Sequence, residues 1–269
     1  MKKIKYVSLF MYLLLQGSIL FSQEQKINTI DNRTIDSTEN ESNKESIEPI
    51  LIEETLPNEV GEWDLRFTFD YSINKKVIIT TLPQVQLFFG IFKNIGGEIS
   101  LPFIYRKDEI ANYGLGAIST SIKWQVLKQG HTLPAIVLGF EVGFPTNSFG
   151  VESEEQAFIY SPYVAFLKDF GKLCMQGNLA LETKIPVSGG ERNRETELNI
   201  ALAYPCFDSK VDVIAELSSS FSTDEKSVLL VSPGLRYYLN DKHALALAVP
   251  VNLDNSSVLR VIFQYQFQF

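Results

Sequence analysis

Residues Val258–Phe269 read VLRVIFQYQFQF, and the fold turns on this stretch. Leu259, Val261, Phe263, Tyr265, Phe267 and Phe269 share one face. Arg260, Gln264, Gln266 and Gln268, with Ile262 among them, share the other. A period of two is the mark of a β-strand, here with one apolar and one polar face. Its last residue is Phe269, an expected handle for the barrel-assembly machinery.

Working back from that strand, the same alternation recurs until twelve runs are counted, beginning near Glu62. In one, Ile136, Leu138, Phe140, Val142 and Phe144 form the apolar row; in another, Leu245, Leu247, Val249 and Val251 do. Each run reaches the roughly 9–11 residues a tilted strand needs to cross a bilayer, and none approaches the 18 or so apolar residues of a spanning helix. A soluble β-sandwich also alternates, but its strands are typically about 5–6 residues long. The expected fold is therefore all-β: a transmembrane, antiparallel, up-and-down β-barrel of about twelve strands, of the outer-membrane type.

The connections agree with this reading. Lys168–Lys172, Pro205–Lys210 and Asn240–Lys242 are compact and follow even-numbered strands. Arg106–Tyr113, Thr146–Gln156, Pro186–Glu195 and Ser222–Lys226 follow odd-numbered ones and are generally longer and strongly charged. Outer-membrane barrels alternate short periplasmic turns with longer outer loops. Both termini are thus expected in the periplasm. Trp63, Tyr71, Tyr105, Trp124, Tyr204 and Tyr238 lie near strand ends, where interfacial aromatic girdles form.

The N-terminus reads as an address. Lys2, Lys3 and Lys5 precede an apolar core, Leu9–Leu15, and Ser22–Gln23 is a plausible cleavage point, so residues 1–22 are expected to be a signal peptide. Its removal takes three lysines and no acids, moving the net charge from −8 to −11. Residues 23–58 are rich in Glu, Asp, Asn, Ser and Thr and contain no aromatic. Such a segment buries too little apolar area to offset its ordering entropy, and is expected to be a disordered, acidic, periplasmic stretch. The barrel is expected to occupy 59–269.

Composition excludes several classes. In 269 residues there are 32 acidic and 24 basic side chains, the wrong balance for a nucleic-acid partner. Two cysteines exclude a four-cysteine zinc site and two histidines leave little for a histidine-rich metal centre, so no resident metal or cofactor is expected. A nucleophile elbow, an HExxH pair and a phosphate-binding glycine loop are all absent. His131 falls in an expected periplasmic turn and His243 at the periplasmic start of strand eleven, so no enzyme activity is expected.

Five stretches carry a family resemblance: Gly114–Trp124 (GLGAISTSIKW), Leu133–Thr146 (LPAIVLGFEVGFPT), Tyr160–Gly171 (YSPYVAFLKDFG), Val231–Asp241 (VSPGLRYYLND) and Ala246–Leu253 (ALAVPVNL). In their order along the chain these resemble the phenol-degradation meta-pathway family of outer-membrane β-barrel proteins. With Pro57–Tyr71, the resemblance spans about residues 57–269. It implies a transporter-like role, with aromatic compounds as the implied solutes, and no catalytic residue.

If the apolar register faces lipid, the other lines the lumen. The candidates are Arg66, Lys123, Glu141, Glu182, Lys184, Glu216, Arg236 and Arg260, with Asp64, Asp70, Glu197 and Asp212 beside them. Facing lipid near the midplane, an Arg or Lys would cost about 2–4 kcal/mol. Small residues share this register, among them Ala135, Gly139, Ala165, Ala203, Ala246 and Ala248; they leave room for a solute or a folded-in loop, or reflect tight curvature. Cys174 and Cys206 sit at the short-turn ends of strands seven and eight. Regular pairing points them to opposite faces, and a bulge near Pro205 would be needed to form this candidate disulfide.

The function expected from these readings is a channel or transporter in the bacterial outer membrane for passive or facilitated uptake of small solutes, hydrophobic or aromatic ones included. Its partners would be outer-membrane lipid and the small-molecule solute. The alternative is a structural or surface-interaction protein with a filled lumen, using loop acids such as Glu152, Glu154, Glu155, Asp224 and Glu225; an outer-membrane lipid-modifying enzyme comes third.

Overall fold

The computed structural model describes residues 49–52, 55–74, 77–107, 111–146, 156–206, 210–222, 227–253 and 258–269. The expected signal peptide, most of the acidic segment and the loop acids named above lie outside these residues. Among the described residues every regular element is a strand.

The first strands are β1 (Trp63–Asn74), β2 (Val77–Phe92) and β3 (Ile95–Lys107). β4 runs in two pieces, Ala111–Leu115 and Ile118–Leu127, interrupted at Gly116–Ala117. Then come β5 (Ala135–Phe144), β6 (Ala157–Phe170), β7 (Leu173–Pro186) and β8 (Asn193–Cys206). β9 (Val211–Ser222) and β10 (Val228–Asn240) follow. β11 is again in two pieces, His243–Ala248 and Val251–Asn252, and β12 is Val258–Gln268.

Each strand pairs antiparallel with its chain neighbours, and β1 pairs with β12 from Asp64↔Gln268 to Asn74↔Val258, closing a twelve-stranded barrel. Trp63 and Phe269 exchange backbone hydrogen bonds of 3.2 and 2.9 Å at the seam. Closure pairs the strand backbones with one another, so the wall can stand in hydrocarbon without unsatisfied edges. The turns Lys93–Asn94 and Gly171–Lys172 have only two residues, and Asn94 and Gly171 both sit at φ 66°. Glycine and asparagine tolerate that left-handed backbone, and it matches the twist of paired strands. These turns and the first and last strand ends lie at one end of the barrel.

The two registers separate as the alternation predicts. Ile122 is 50% exposed on the outside, while Lys123 beside it on the inside is 1% exposed. Leu235 and Arg236 repeat the contrast, at 50% and 2%. Tyr238 departs from the expected girdle: it is on the inward register, and its hydroxyl donates to Asp212 Oδ2 at 2.8 Å. Trp63, Tyr71, Trp124 and Tyr204 are outward and exposed.

The candidate disulfide does not form. Cys174 is inward, buried and opposite Ala203, whereas Cys206 is on the outward register opposite Val211. No register shift interrupts the β8–β9 ladder at Pro205, which pairs with Asp212. Without that bulge the two thiols point to opposite faces of the wall and are not bridged.

Candidate functional site

The inward row of a twelve-stranded barrel encloses more space than its own side chains fill. Part of that space is taken by the chain itself. At the end of the segment expected to be solvated, the described residues 49–52 and 55–58 lie inside the barrel rather than below it. Ile50 is 4% exposed and packs against Ala203, Ile214, Ala246, Ala248 and Ile262. Leu56 packs against Val137, Tyr163, Ala165 and Ala180, and also touches the cluster of Ala135, Leu167 and Cys174. The inward alanines are thus the sockets for two apolar side chains. Curvature alone would not need them in these two groups.

Polar contacts hold the same segment. Glu216, 2% exposed, accepts the backbone N–H groups of Ile50 (3.0 Å), Leu51 (2.9 Å) and Ile52 (3.2 Å) at Oε1, and Leu51 also reaches Oε2 at 3.0 Å. Arg236 donates to the Pro49 carbonyl at 3.2 Å and to Gln266 Oε1 at 2.7 Å. Gln264 donates to the Ile50 carbonyl at 2.9 Å. At the barrel base, Asn58 donates to Asp64 Oδ2 at 2.6 Å. Glu216 and Arg236 are therefore anchors for an internal arch. Burying a carboxylate and a guanidinium is tolerable because backbone groups of the arch satisfy them.

The other candidates line the wall around it. Arg66 and Lys123 lie 4.5 and 5.5 Å from the centre of the Phe88 ring, a cation–π arrangement in a buried setting. Glu182 and Lys184 pair at 3.4 Å. Arg260 grips Asp70 through Nε (3.1 and 3.0 Å) and Nη2 (2.6 Å). Glu141 lines open space together with Glu98. All eight sequence-selected residues are on the inward register. They divide into arch anchors (Glu216, Arg236), a buried Phe88 cluster (Arg66, Lys123) and groups facing open lumen.

Among the described residues, two cavities lie beside these groups. One of about 220 Å³ is floored by Ile50–Ile52 and walled by polar groups such as Thr68, Gln84, Gln86, Glu98 and Glu141. The other, about 340 Å³, lies nearer the loop end, between β1, β2, β10, β11 and β12. Asp70 and Arg260 line both, so their ion pair stands between the two chambers. The upper chamber was missed by pattern reading, because its wall breaks the pattern: Ile79, Leu230 and Val258 are apolar on the polar register. The signal lay in continuous apolar runs at the loop ends, Val77–Ile79 and Val228–Val231, where both faces of the strand are greasy.

Tightness elsewhere in the lumen makes a direct test. The Tyr163 ring lies across Gly139, and a Cβ there would sit 1.9 Å from its Cζ. Gly139→Ala is expected to displace Tyr163 towards Leu56 and to cost about 1–3 kcal/mol, as overpacking does. Urea unfolding of the barrel in lipid vesicles measures it.

No protein-family model matches the chain, and no curated protein resembles it in sequence. Among solved structures, an outer-membrane channel of Pseudomonas putida F1 superposes with a TM-score of 0.65, covering 83% of this chain and 100% of that one at 10% identity. The translocator domain of the autotransporter NalP from Neisseria meningitidis gives 0.48, over 77% and 87% of the two chains at 9% identity. The chain has the fold of an outer-membrane β-barrel.

Proposed function

We propose that this protein is a non-catalytic outer-membrane channel for small solutes, with its strand ends and short turns in the periplasm and its own residues 49–52 and 55–58 seated across the lumen. The observation that carries the reading is open space in the lumen above that arch, in two chambers sharing one ion pair. A barrel whose role is purely structural has no need of such space. The short connections at the end holding both terminal strand ends support the orientation. The resemblance to the phenol-degradation meta-pathway family supports solutes with a hydrocarbon body, which the apolar wall of the upper chamber would accommodate. Diffusion would need no energy coupling.

The seated arch favours one rival, a structural or surface-interaction barrel that stays closed. Liposome permeability separates the two. Vesicles carrying residues 23–269 are expected to pass small sugars and alcohols slowly and in order of size. A variant with Ile50, Ile52 and Leu56 changed to Ser loses the apolar seating of the arch, at about 1.5–3 kcal/mol per buried side chain, and is expected to pass them at least about tenfold faster. If both proteins fold, shown by altered mobility before boiling, and both remain watertight, the channel reading fails.

A further inference from the structure

The upper chamber joins an aliphatic wall to a polar side made of Ser72, Thr81, Asn252 and a neutral clamp. Ile79, Val228, Leu230, Pro250 and Val258 supply the wall. Ile79 faces the lumen yet is 39% exposed, an apolar surface left open inside the barrel. Among the described residues no aromatic ring lines the chamber, so its described wall favours a flexible chain over a flat stacked ring. Its volume, about 340 Å³, is at the small end of ligand pockets.

The clamp is the Asp70–Arg260 pair, with side chains 21% and 30% exposed. Arg260 spends Nε and Nη2 on Asp70, and among the described residues no group takes the hydrogens of its Nη1. The two charges cancel, so the pair offers no net attraction to an ion. An anion would compete with Asp70 for Arg260, and a cation with Arg260 for Asp70. A hydroxyl displaces neither: its oxygen accepts from Nη1 while its hydrogen is donated to a carboxylate oxygen.

We propose that this chamber is a binding site for a short-chain, uncharged aliphatic alcohol, its chain against Ile79, Leu230 and Val258 and its hydroxyl on Asp70 and Arg260. This rests on the channel reading for its purpose, and it names the solute class that the channel would hold.

The test uses protein purified from outer membranes and three bromine-tagged probes: 6-bromo-1-hexanol, its methyl ether, and 6-bromohexanoate. In crystals soaked with the alcohol, anomalous scattering is expected to place bromine beside Leu230 or Val258. Calorimetry is expected to show the ether, which cannot donate, and the carboxylate, which cannot share Arg260 without opposing Asp70, each binding about tenfold more weakly, the scale of one hydrogen bond to a charged group. Leu230→Trp fills the chamber and is expected to abolish binding. Should that variant not fold, Asp70→Leu with Arg260→Met removes both hydrogen-bonding groups of the clamp without filling the chamber and is expected to weaken the alcohol about tenfold, by the same hydrogen-bond scale. Bromine elsewhere or nowhere, an ether as tight as the alcohol, or an unchanged double variant overturns the site. Binding is read at equilibrium, so a watertight barrel that takes up the alcohol overturns the channel and spares the site. A permeable barrel with an empty chamber does the reverse.

Discussion

Glu216→Ala is expected to unseat the internal arch and raise solute permeability by at least about tenfold. The carboxylate accepts the backbone N–H groups of three successive residues, Ile50, Leu51 and Ile52, in a buried setting. Removing one partner of a buried charged contact typically costs about 3–5 kcal/mol, because the groups left behind stay desolvated and unpaired. At about 1.4 kcal/mol per factor of ten, the balance between seated and unseated arch should move by roughly two to three orders of magnitude. Glu216→Gln keeps an acceptor oxygen without the charge and should fall between the two. Single-channel conductance in planar bilayers, with folding checked by heat-modifiable mobility, reads the result directly. A folded Glu216→Ala barrel as tight as the parent would rule out the arch as the closing element.

Phe140→Arg should destabilise the barrel by about 2–4 kcal/mol in lipid, the cost of placing an arginine near the bilayer midplane. Phe140 is near the middle of β5, outward and 41% exposed, opposite Ile122 on one neighbour and Pro162 on the other. One residue on, Glu141 is on the inward register and lines the lower chamber, so Glu141→Gln should change stability by much less. Urea titrations of both variants in vesicles make the comparison. Equal losses at 140 and 141 would mean that the registers are not divided between lipid and lumen.

That division was legible in the sequence because alternation is a local property. Lys123 between Ile122 and Trp124, or Arg236 between Leu235 and Tyr237, each declares its face from its immediate neighbours. The same locality explains the failures. Tyr238 looked like a girdle residue by its position near a strand end, but its register turns it to Asp212. The upper chamber escaped because Val228–Val231 is apolar on both faces, where alternation carries no information. The segment around Ile50 looked solvated because acidic composition was averaged over residues 23–58, and the four apolar residues Ile50, Leu51, Ile52 and Leu56 were diluted by it.

The sequence by itself determined a count of about twelve strands, the inward and outward registers, and the end of the barrel at which both terminal strands meet. Each follows from neighbours a few residues apart and from the cost of exposing charge or backbone to hydrocarbon. What fills the lumen was decided only by the tertiary structure. Glu216 meets Ile50 across 166 residues and Gln264 meets it across 214. Asp70 and Arg260 are brought together across 190. A barrel wall can be read strand by strand, but its interior is shared by all the strands at once, and only closure specifies which side chains face one another there.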